Sequence, residues 1–346
     1  MQIYFKNKRF SSLSVIILLA LSVLVVVVVA FAKEYIFPLK YFGDVITIEN
    51  LINNPDLDTG DKGFMNTAIF FRVLPLDRYI ITPIVTVLMY YIGVKKILTN
   101  YTINKISFIN YTIITTYSAI AMVYMSTYSK DLILYIFVIL SFIFLEKKNI
   151  LIWTCIVLIY ALIFRTYWII IISSFWVLKL YFSKSLYKLT LYIVAFFIVI
   201  AFVFDQVLGI SISSIREASN IFRSEDEAQT MISSYIEGDS FIDQGINGIV
   251  TLILFIIPIP LALFLKPFYI LMFLLISFIF YKFIFFIKNN IQNKQYNNVI
   301  SLVISMLVVQ SIFEPDFGSF LRHLSPLYPL LFLSLAKQKN KLKNEN

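Results

Sequence analysis

Four ionisable side chains stand within ten residues of one another near the end of the chain, in the stretch SIFEPDFGSFLRHLSPLYPLLF. They are Glu314, Asp316, Arg322 and His323, and His323 is the only histidine in the sequence. A carboxylate or an imidazole can accept the proton of a reacting hydroxyl group, and an arginine can hold a phosphate. Turn chemistry explains Asp316 beside its proline and glycine, but it does not explain Glu314, or Arg322 and His323 at the start of an apolar segment. The stretch is therefore a candidate catalytic site.

Two further segments place cations beside apolar sequence. In STYSKDLILYIF, Asp131 suits the first turn of a helix, where the helix dipole favours a negative charge, and Lys130 is a candidate anion ligand. In IYALIFRTYWIII, Arg165 is flanked by apolar residues, and an ionisable group so close to hydrocarbon faces a cavity or a partner. The alternatives are structural: a tight turn at Lys130 and a salt-bridged or snorkelling arginine at Arg165.

Composition indicates the environment in which these residues work. The chain has 346 residues, of which 60% are hydrophobic and only 14% charged, against roughly 25% charged residues in soluble domains. It has one cysteine and no glycine-rich phosphate loop, CxxC pair or HExxH motif. The sequence therefore predicts an integral membrane protein without a cofactor or a metal.

Eleven apolar segments alternate with more polar stretches, as expected of an all-α polytopic membrane protein with a single transmembrane domain over residues 1–346. The first segment follows KNKR and ends in AFA; we interpret it as an uncleaved signal anchor, with a cleaved signal peptide as the alternative. The predicted segments are 11–32, 77–94, 106–126, 131–145, 150–164, 167–181, 188–208, 249–265, 267–287, 299–313 and 324–336.

The distribution of lysine and arginine predicts the orientation. Basic residues precede the first segment and fill alternate loops, which places those loops and the N-terminus in the cytoplasm. Eleven crossings would put the basic tail 337–346 outside, so one segment must not cross. Segment 249–265 contains Pro258 and Pro260 and is the best candidate for a re-entrant or interfacial helix. About ten crossings with both termini cytoplasmic follow, and this topology explains the net charge of +9 without nucleic acid.

In this topology the candidate residues share the non-cytoplasmic face. The long first loop 33–76, Lys130, Arg165, the acidic loop 209–247 and the stretch 314–323 all fall there. The acidic loop could cover the site as a lid; the alternative is a hydrated surface loop.

Three short motifs give the chain a resemblance to a known family. Ser129-Lys130-Asp131, Arg165-Thr166-Tyr167 and the stretch from Gly318 to Arg322-His323 resemble motifs of bacterial O-antigen and capsular polysaccharide polymerases. The layout is similar to that of membrane glycosyltransferases of the C-type fold. The layout covers most of the chain, but the motifs cover only about twenty residues. The late loop 209–247 is smaller than in many O-antigen polymerases, which leaves the ligase and lipid-linked glycosyltransferase interpretations open.

The resemblance implies transfer of a glycan from undecaprenyl diphosphate to a sugar hydroxyl of another lipid-linked repeat unit, on the periplasmic face of the bacterial cytoplasmic membrane. Arg165, Arg322 and Lys130 would then hold the diphosphate. Asp44, Glu314, Asp316 and His323 are the candidate bases, and Asp44 is favoured by the C-type enzymes, whose base is commonly an aspartate in the first extracytoplasmic loop. Membrane lipid and a chain-length regulator are the other candidate partners.

Several rival functions remain open. A C-type transferase that adds a single sugar would need the same groups. A flippase would need ionisable groups near mid-membrane and internal repeats, which the sequence lacks. A membrane acyltransferase of known type would need a histidine early in the chain. A non-catalytic membrane subunit would tolerate neutral substitutions at Arg165 and Arg322.

Overall fold

The structure is a computed structural model, and it describes residues 2–5, 8–57, 59–74, 76–100, 103–139, 150–182, 185–214, 216, 230–236, 238 and 240–338. The described chain forms two compact units. Unit 1 comprises residues 1–168 and 325–346, and unit 2 comprises residues 169–324.

Helices dominate both units, as the apolar segments predict. In unit 1 they are α1 (Ser12–Ile36), α2 (Gly43–Asn53), α3 (Lys62–Val73), α4 (Ile81–Asn100), α5 (Phe108–Met125), α6 (Lys130–Leu134), α7 (Ile150–Ile163) and α15 (Tyr328–Leu335). Those that make up unit 2 are α8 (Trp168–Val177, whose first residue belongs to unit 1), α9 (Leu186–Phe202), α10 (Phe241–Ile256), α11 (Ile259–Leu263), α12 (Pro267–Asn290), α13 (Lys294–Phe313) and α14 (Phe317–Leu324). Turns of π-helix extend α6, α8 and α9 over Tyr135–Ile139, Leu178–Phe182 and Val203–Val207, and 3-10 turns cover Leu39–Phe42 and Ser325–Leu327.

Five helices of the described chain are long and apolar enough to cross a membrane. They span Ser12–Ile36, Phe108–Met125, Leu186–Val207, Pro267–Asn290 and Tyr296–Phe313. Three shorter apolar helices cover Ile150–Ile163, Trp168–Tyr181 and Phe241–Ile256. The chain is therefore a helical protein with the apolar helices of a membrane protein.

A small sheet closes one end of unit 1, and the sequence analysis did not predict it. Its strands are β1 (Gln2–Phe5), β2 (Lys8–Arg9), β3 (Ile103–Ser107) and β4 (Ala336–Gln338), in the order β2-β1-β3-β4. β1 runs parallel to β3, while β2 and β4 are antiparallel to their neighbours. The sheet brings the two described ends of the chain to the same place, beside the connection between α4 and α5.

The long helices of unit 1 run from this sheet to the opposite end of the unit. The Ser126 hydroxyl, just after α5, donates to the Ala30 carbonyl near the end of α1 at 3.2 Å. The Thr86 hydroxyl in the second turn of α4 donates to the Met125 carbonyl at 3.0 Å. α4 is therefore antiparallel to α5, and the end of unit 1 away from the sheet carries Lys130 and its surroundings.

Unit 2 depends on two glycines where α9 and α10 pack closely. A Cβ on Gly248 would come within 2.5 Å of the Phe197 ring, and one on Gly245 would lie 3.4 Å from the Phe197 carbonyl. Residues without a large side chain let helix backbones approach closely, as small residues do in membrane helix pairs. The chain then breaks at Ile257 and Pro258 between α10 and α11, at the proline pair that the sequence analysis identified.

Several local expectations need correction or refinement. Arg322 and His323 do not start a long apolar helix; they lie in the last turn of the eight-residue α14, and a 3-10 turn separates them from α15. The first loop 33–76 contains α2 and α3. Of loop 209–247, residues 215, 217–229, 237 and 239 lie outside the described residues, as do residues 339–346 of the tail, whereas residues 337–338 belong to β4.

Candidate functional site

The first group of candidate residues lies in unit 1, and we call Asp61, Lys130, Asp131 and Arg165 the Arg165 cluster. The Ser129 hydroxyl accepts a hydrogen bond from the Leu132 amide at 3.1 Å and so caps α6, which puts Asp131 in the first helical turn as predicted. Arg165 Nη1 donates to Asp131 Oδ1 at 2.7 Å. The pair joins two segments that are 34 residues apart in the chain.

The Asp131–Arg165 pair is a buried, matched ion pair. The two side chains are only 2% and 6% exposed. Burial by itself lowers the pKa of Arg165, but the Asp131 carboxylate, with Tyr167 and Tyr160, outweighs burial, so the pKa lies well above its usual value. The guanidinium is therefore permanently charged, and a carboxylate occupies part of its donor fork.

Lys130 lies beside this pair. Its Nζ is 3.1 Å from Asp61 Oδ2 and 3.6 Å from the centre of the Phe64 ring. Burial and then the Arg165 charge lower the pKa of Lys130, and the carboxylates of Asp61 and Asp44 oppose this shift. The structure thus brings Lys130 and Arg165 together, and the Asp44 carboxylate is close enough to act on the pKa of Lys130.

The tight approach of α3 to this cluster depends on Gly63, which the sequence analysis did not identify. A Cβ on Gly63 would lie 2.6 Å from the Phe164 carbonyl oxygen and 2.9 Å from Lys130 Nζ. The Gly63 amide donates to Asp61 Oδ1 at 2.7 Å, which caps α3 and fixes the carboxylate that contacts Lys130. Gly63 is therefore a packing requirement of the cluster.

A second ion-pair group in unit 1 also escaped the sequence analysis. Arg78 is buried and binds Glu34 with two hydrogen bonds, Nε to Oε1 at 3.0 Å and Nη2 to Oε2 at 2.6 Å. It also donates to Glu49. Arg78 ties the start of α4 to the end of α1 and to α2, so its role is structural.

The other group lies in unit 2, and we call Arg216, Glu314, Arg322 and His323 the His323 cluster. Glu314 follows the last residue of α13, and His323 lies in the last turn of α14. His323 Nδ1 is 2.5 Å from Glu314 Oε1, and His323 Nε2 is 3.4 Å from Arg322 Nη2. The turn between the two helices is what brings the acid and the imidazole face to face.

These contacts assign the tautomer of His323. A guanidinium can only donate, so Nε2 accepts from Arg322 and Nδ1 carries the proton that it donates to Glu314. A carboxylate on one ring nitrogen and a basic lone pair on the other is the arrangement of a general base oriented by an acid.

Asp316 has a structural role in the turn. Its Oδ1 accepts a hydrogen bond from the Ser319 amide at 2.8 Å, which caps α14. Residues 230–232 pair with the same turn: the Ile232 amide donates to the Pro315 carbonyl at 2.9 Å, and the Phe317 amide donates to the Thr230 carbonyl at 3.1 Å. The described end of the acidic loop is therefore fixed to the turn that carries the His323 cluster.

Arg216 is the member of this cluster that the sequence analysis did not select. Its Nε donates to the Ile312 carbonyl at 2.9 Å, Nη2 donates to the Ser311 carbonyl, and Nη1 donates to the Thr251 hydroxyl at 3.3 Å. It caps the C-terminal end of α13, where backbone carbonyls lack helical partners. The sequence around Arg216 did not indicate this role, because the Ser311 carbonyl that it contacts lies 95 residues further along the chain.

Electrostatics connects Arg216 with the acid of the pair. Burial lowers the pKa of Arg216 to about 10, and the neighbouring Tyr235 and Glu314 oppose the shift. Arg216 therefore keeps its positive charge at neutral pH, and the Glu314 carboxyl group lies close enough to act on its pKa.

The two clusters provide different chemistry. Each brings together part of the predicted set: Lys130 and Arg165, with Asp44 near them, in unit 1, and Glu314, Arg322 and His323, with Asp316 as a cap, in unit 2. Among the described residues, no group of three or more histidine, cysteine or carboxylate side chains is arranged to hold a metal ion. No protein-family model, no curated protein and no solved structure matches the chain.

Proposed function

We propose that the chain is a bacterial membrane glycosyltransferase of the polysaccharide-polymerase type. It transfers a glycan from undecaprenyl diphosphate to a sugar hydroxyl of a second lipid-linked repeat unit, on the periplasmic face of the cytoplasmic membrane. The observation that carries the proposal is the Glu314–His323 pair, with Arg322 beside the second ring nitrogen of His323. It supplies a hydroxyl base and a phosphate-binding cation within one turn of chain.

In the proposed reaction, His323 Nε2 takes the proton of the acceptor hydroxyl. The hydroxyl oxygen forms a bond to the anomeric carbon of the donor glycan while the bond from that carbon to the diphosphate breaks. The electron pair leaves with the undecaprenyl diphosphate. Glu314 stabilises the imidazolium that forms, since it already accepts the Nδ1 proton.

The cations divide their tasks. Arg322 has its Nη2 next to Nε2 and is the group that can move onto the diphosphate and stabilise the leaving group. Arg216 is held by backbone carbonyls of α13 and acts as a positioning residue. Within unit 1, Lys130 and Arg165 remain the predicted anion ligands, and Asp61 and Asp131 are their carboxylate partners in the structure.

The proposal includes about ten crossings, a non-crossing segment at 249–265 and both termini in the cytoplasm. Two observations support it. The sheet joins β1, β3 and β4, which lie in or next to three of the segments that the positive charges assign to the cytoplasm. The break at Ile257 and Pro258 interrupts the segment that parity requires not to cross.

A transferase that adds a single sugar is the second candidate. It is favoured by Asp44, whose charge acts on Lys130 in the Arg165 cluster and which would then be the base of the first loop. In that case substitution of Asp44, not His323, would abolish transfer.

The test is deletion of the coding sequence in the native host, with surface polysaccharide separated on a silver-stained gel. A ladder that collapses to core plus one repeat unit supports a polymerase, and loss of the single repeat as well indicates the single-sugar transferase or a flippase. An unchanged ladder would overturn the proposal.

Complementation then tests the site. Arg322→Ala should fail to restore the ladder although the protein is produced. Arg72→Ala is the matched control, because Arg72 is exposed and its one hydrogen bond to a described residue goes to the Leu51 carbonyl. If Arg322→Ala restores the ladder, Arg322 does not stabilise the leaving group.

A further inference from the structure

Gln310 is a fully buried side chain whose polar atoms have no protein partner among the described residues. It lies on α13, its side chain is completely inaccessible, and neither Oε1 nor Nε2 makes a hydrogen bond there. Buried amides are normally paired, because burial without a hydrogen bond costs several kcal/mol in transfer experiments. Its carbonyl oxygen and its N–H groups therefore keep their hydrogen-bonding capacity for a ligand.

The position of Gln310 connects it with the proposed catalytic pair. The Glu314 amide donates to the Gln310 carbonyl at 2.8 Å, so helical geometry continues from Gln310 to Glu314. Residues four apart on a helix lie on the same face, with Cβ atoms about 5–6 Å apart. The amide of Gln310 therefore stands one turn below the carboxylate that orients His323.

The chemistry of an amide identifies the ligand class. A glutamine side chain offers a carbonyl acceptor and two N–H donors in one plane, which matches two neighbouring sugar hydroxyls. We propose that Gln310 binds hydroxyls of the glycan and positions it against the Glu314–His323 pair, as a specificity-determining residue. This inference rests on the proposed function.

The experiment uses the purified full-length chain in lipid nanodiscs and measures its unfolding temperature. The probes are undecaprenyl diphosphate alone and the lipid-linked repeat unit isolated from the host. The difference between the two shifts in unfolding temperature is the part that depends on the glycan. In wild type both compounds should raise the unfolding temperature, and the repeat unit should raise it further.

Gln310→Met, which keeps the length of the side chain and removes its polar atoms, should abolish the glycan-dependent part and leave the shift with undecaprenyl diphosphate intact. Without ligand, the same variant should unfold about 2–4 °C higher than wild type, because a buried amide without a partner is removed.

Ser305→Ala is the matched control. Ser305 lies on the same helix, is equally buried and also has a hydroxyl without a partner among the described residues. Nine positions before Glu314, it faces the opposite side of the helix. Its variant should keep the whole glycan-dependent shift.

The outcomes separate the two proposals. If neither compound stabilises the wild type, the proposed function fails. If both do so and Gln310→Met retains the glycan-dependent shift, the role of Gln310 is overturned. A lower unfolding temperature of the unliganded variant would show that another part of the protein satisfies the amide, and would also overturn it.

Discussion

The Arg165 cluster and the His323 cluster are built from similar residue types and differ in how the charges are matched. In the Arg165 cluster each cation has a carboxylate: Arg165 has Asp131 and Lys130 has Asp61. In the His323 cluster the carboxylate holds an imidazole, and the guanidinium of Arg322 points at the other ring nitrogen. The first arrangement neutralises charge, and the second orients a group that can change its protonation state.

This difference teaches what each cluster can contribute. Breaking a buried ion pair leaves an uncompensated charge and is strongly destabilising. Substitutions in the Arg165 cluster are therefore expected to change mainly the free energy of unfolding. In the His323 cluster, Glu314 holds the imidazole in one tautomer, and the imidazole can take a proton during a reaction. Substitutions in this cluster are therefore expected to change mainly the activity. Substitutions that alter one property without the other therefore test the comparison.

The largest effect is expected from His323→Gln. Loss of a general base lowers turnover by about 10²–10⁴-fold, while the unfolding temperature should stay close to that of wild type. The measurement is polymer formation by the purified chain from isolated lipid-linked repeat units. Full turnover in the variant would remove His323 from the chemistry.

Asp131→Asn comes next and should affect stability. It leaves Arg165 buried without a countercharge, so the free energy of unfolding should fall by about 3–5 kcal/mol. The double variant Asp131→Leu with Arg165→Met should recover most of this loss, because neither charge remains. Denaturant titration in detergent micelles measures both. An Asp131→Asn protein as stable as wild type would contradict the interpretation of the pair as matched and buried.

Asp316 should behave as a helix cap. Asp316→Ala should lower the free energy of unfolding by about 0.5–2 kcal/mol, whereas Asp316→Asn should lose much less, because asparagine is also a good N-cap. Both variants should still make polymer. If Asp316→Asn folds normally but makes none, the carboxylate has a chemical role that the capping bond does not explain.

The smallest effect concerns the pH dependence of Lys130. Its pKa in the folded protein lies below the ordinary value of 10.5, so between the two values the unfolded chain binds more protons than the folded chain. Stability should therefore rise with pH through that window, by at most about 1.4 kcal/mol per pH unit. Lys130→Met should lack this rise, and an identical pH dependence in the variant would show that another group causes it.

Local sequence signals predicted the helices and some of their ends. Ser129 caps α6, the prolines near residue 258 break the apolar segment, and every predicted apolar segment has helix in its described part. These features depend on residues within one or two turns of each other. Helices and helix ends of this kind can therefore be predicted from the sequence without knowledge of the fold.

Contacts between residues that lie far apart in the sequence could not be predicted from such local signals. Nothing near Arg165 indicates that Asp131 is its partner, and nothing near Arg216 indicates that α13 ends against it. The four-stranded sheet escaped for the same reason, since β1 and β3 are short and lie far apart in the sequence. Arg322 and His323 were placed at the start of a long helix because the apolar run hides the 3-10 turn at Ser325–Leu327.

The two parts of unit 1 are synthesised at different times, because the whole of unit 2 lies between them in the sequence. Its first part ends at residue 168, and its last helix, α15, and strand β4 are made only after all of unit 2 has been synthesised. Residues 108–335 separate β3 from β4, which corresponds to roughly 10–45 s at about 5–20 residues per second. During that time the edge of β3 lacks β4, and α5 lacks the segment that brings Tyr328 against Tyr117. Unit 1 is therefore begun first and completed last.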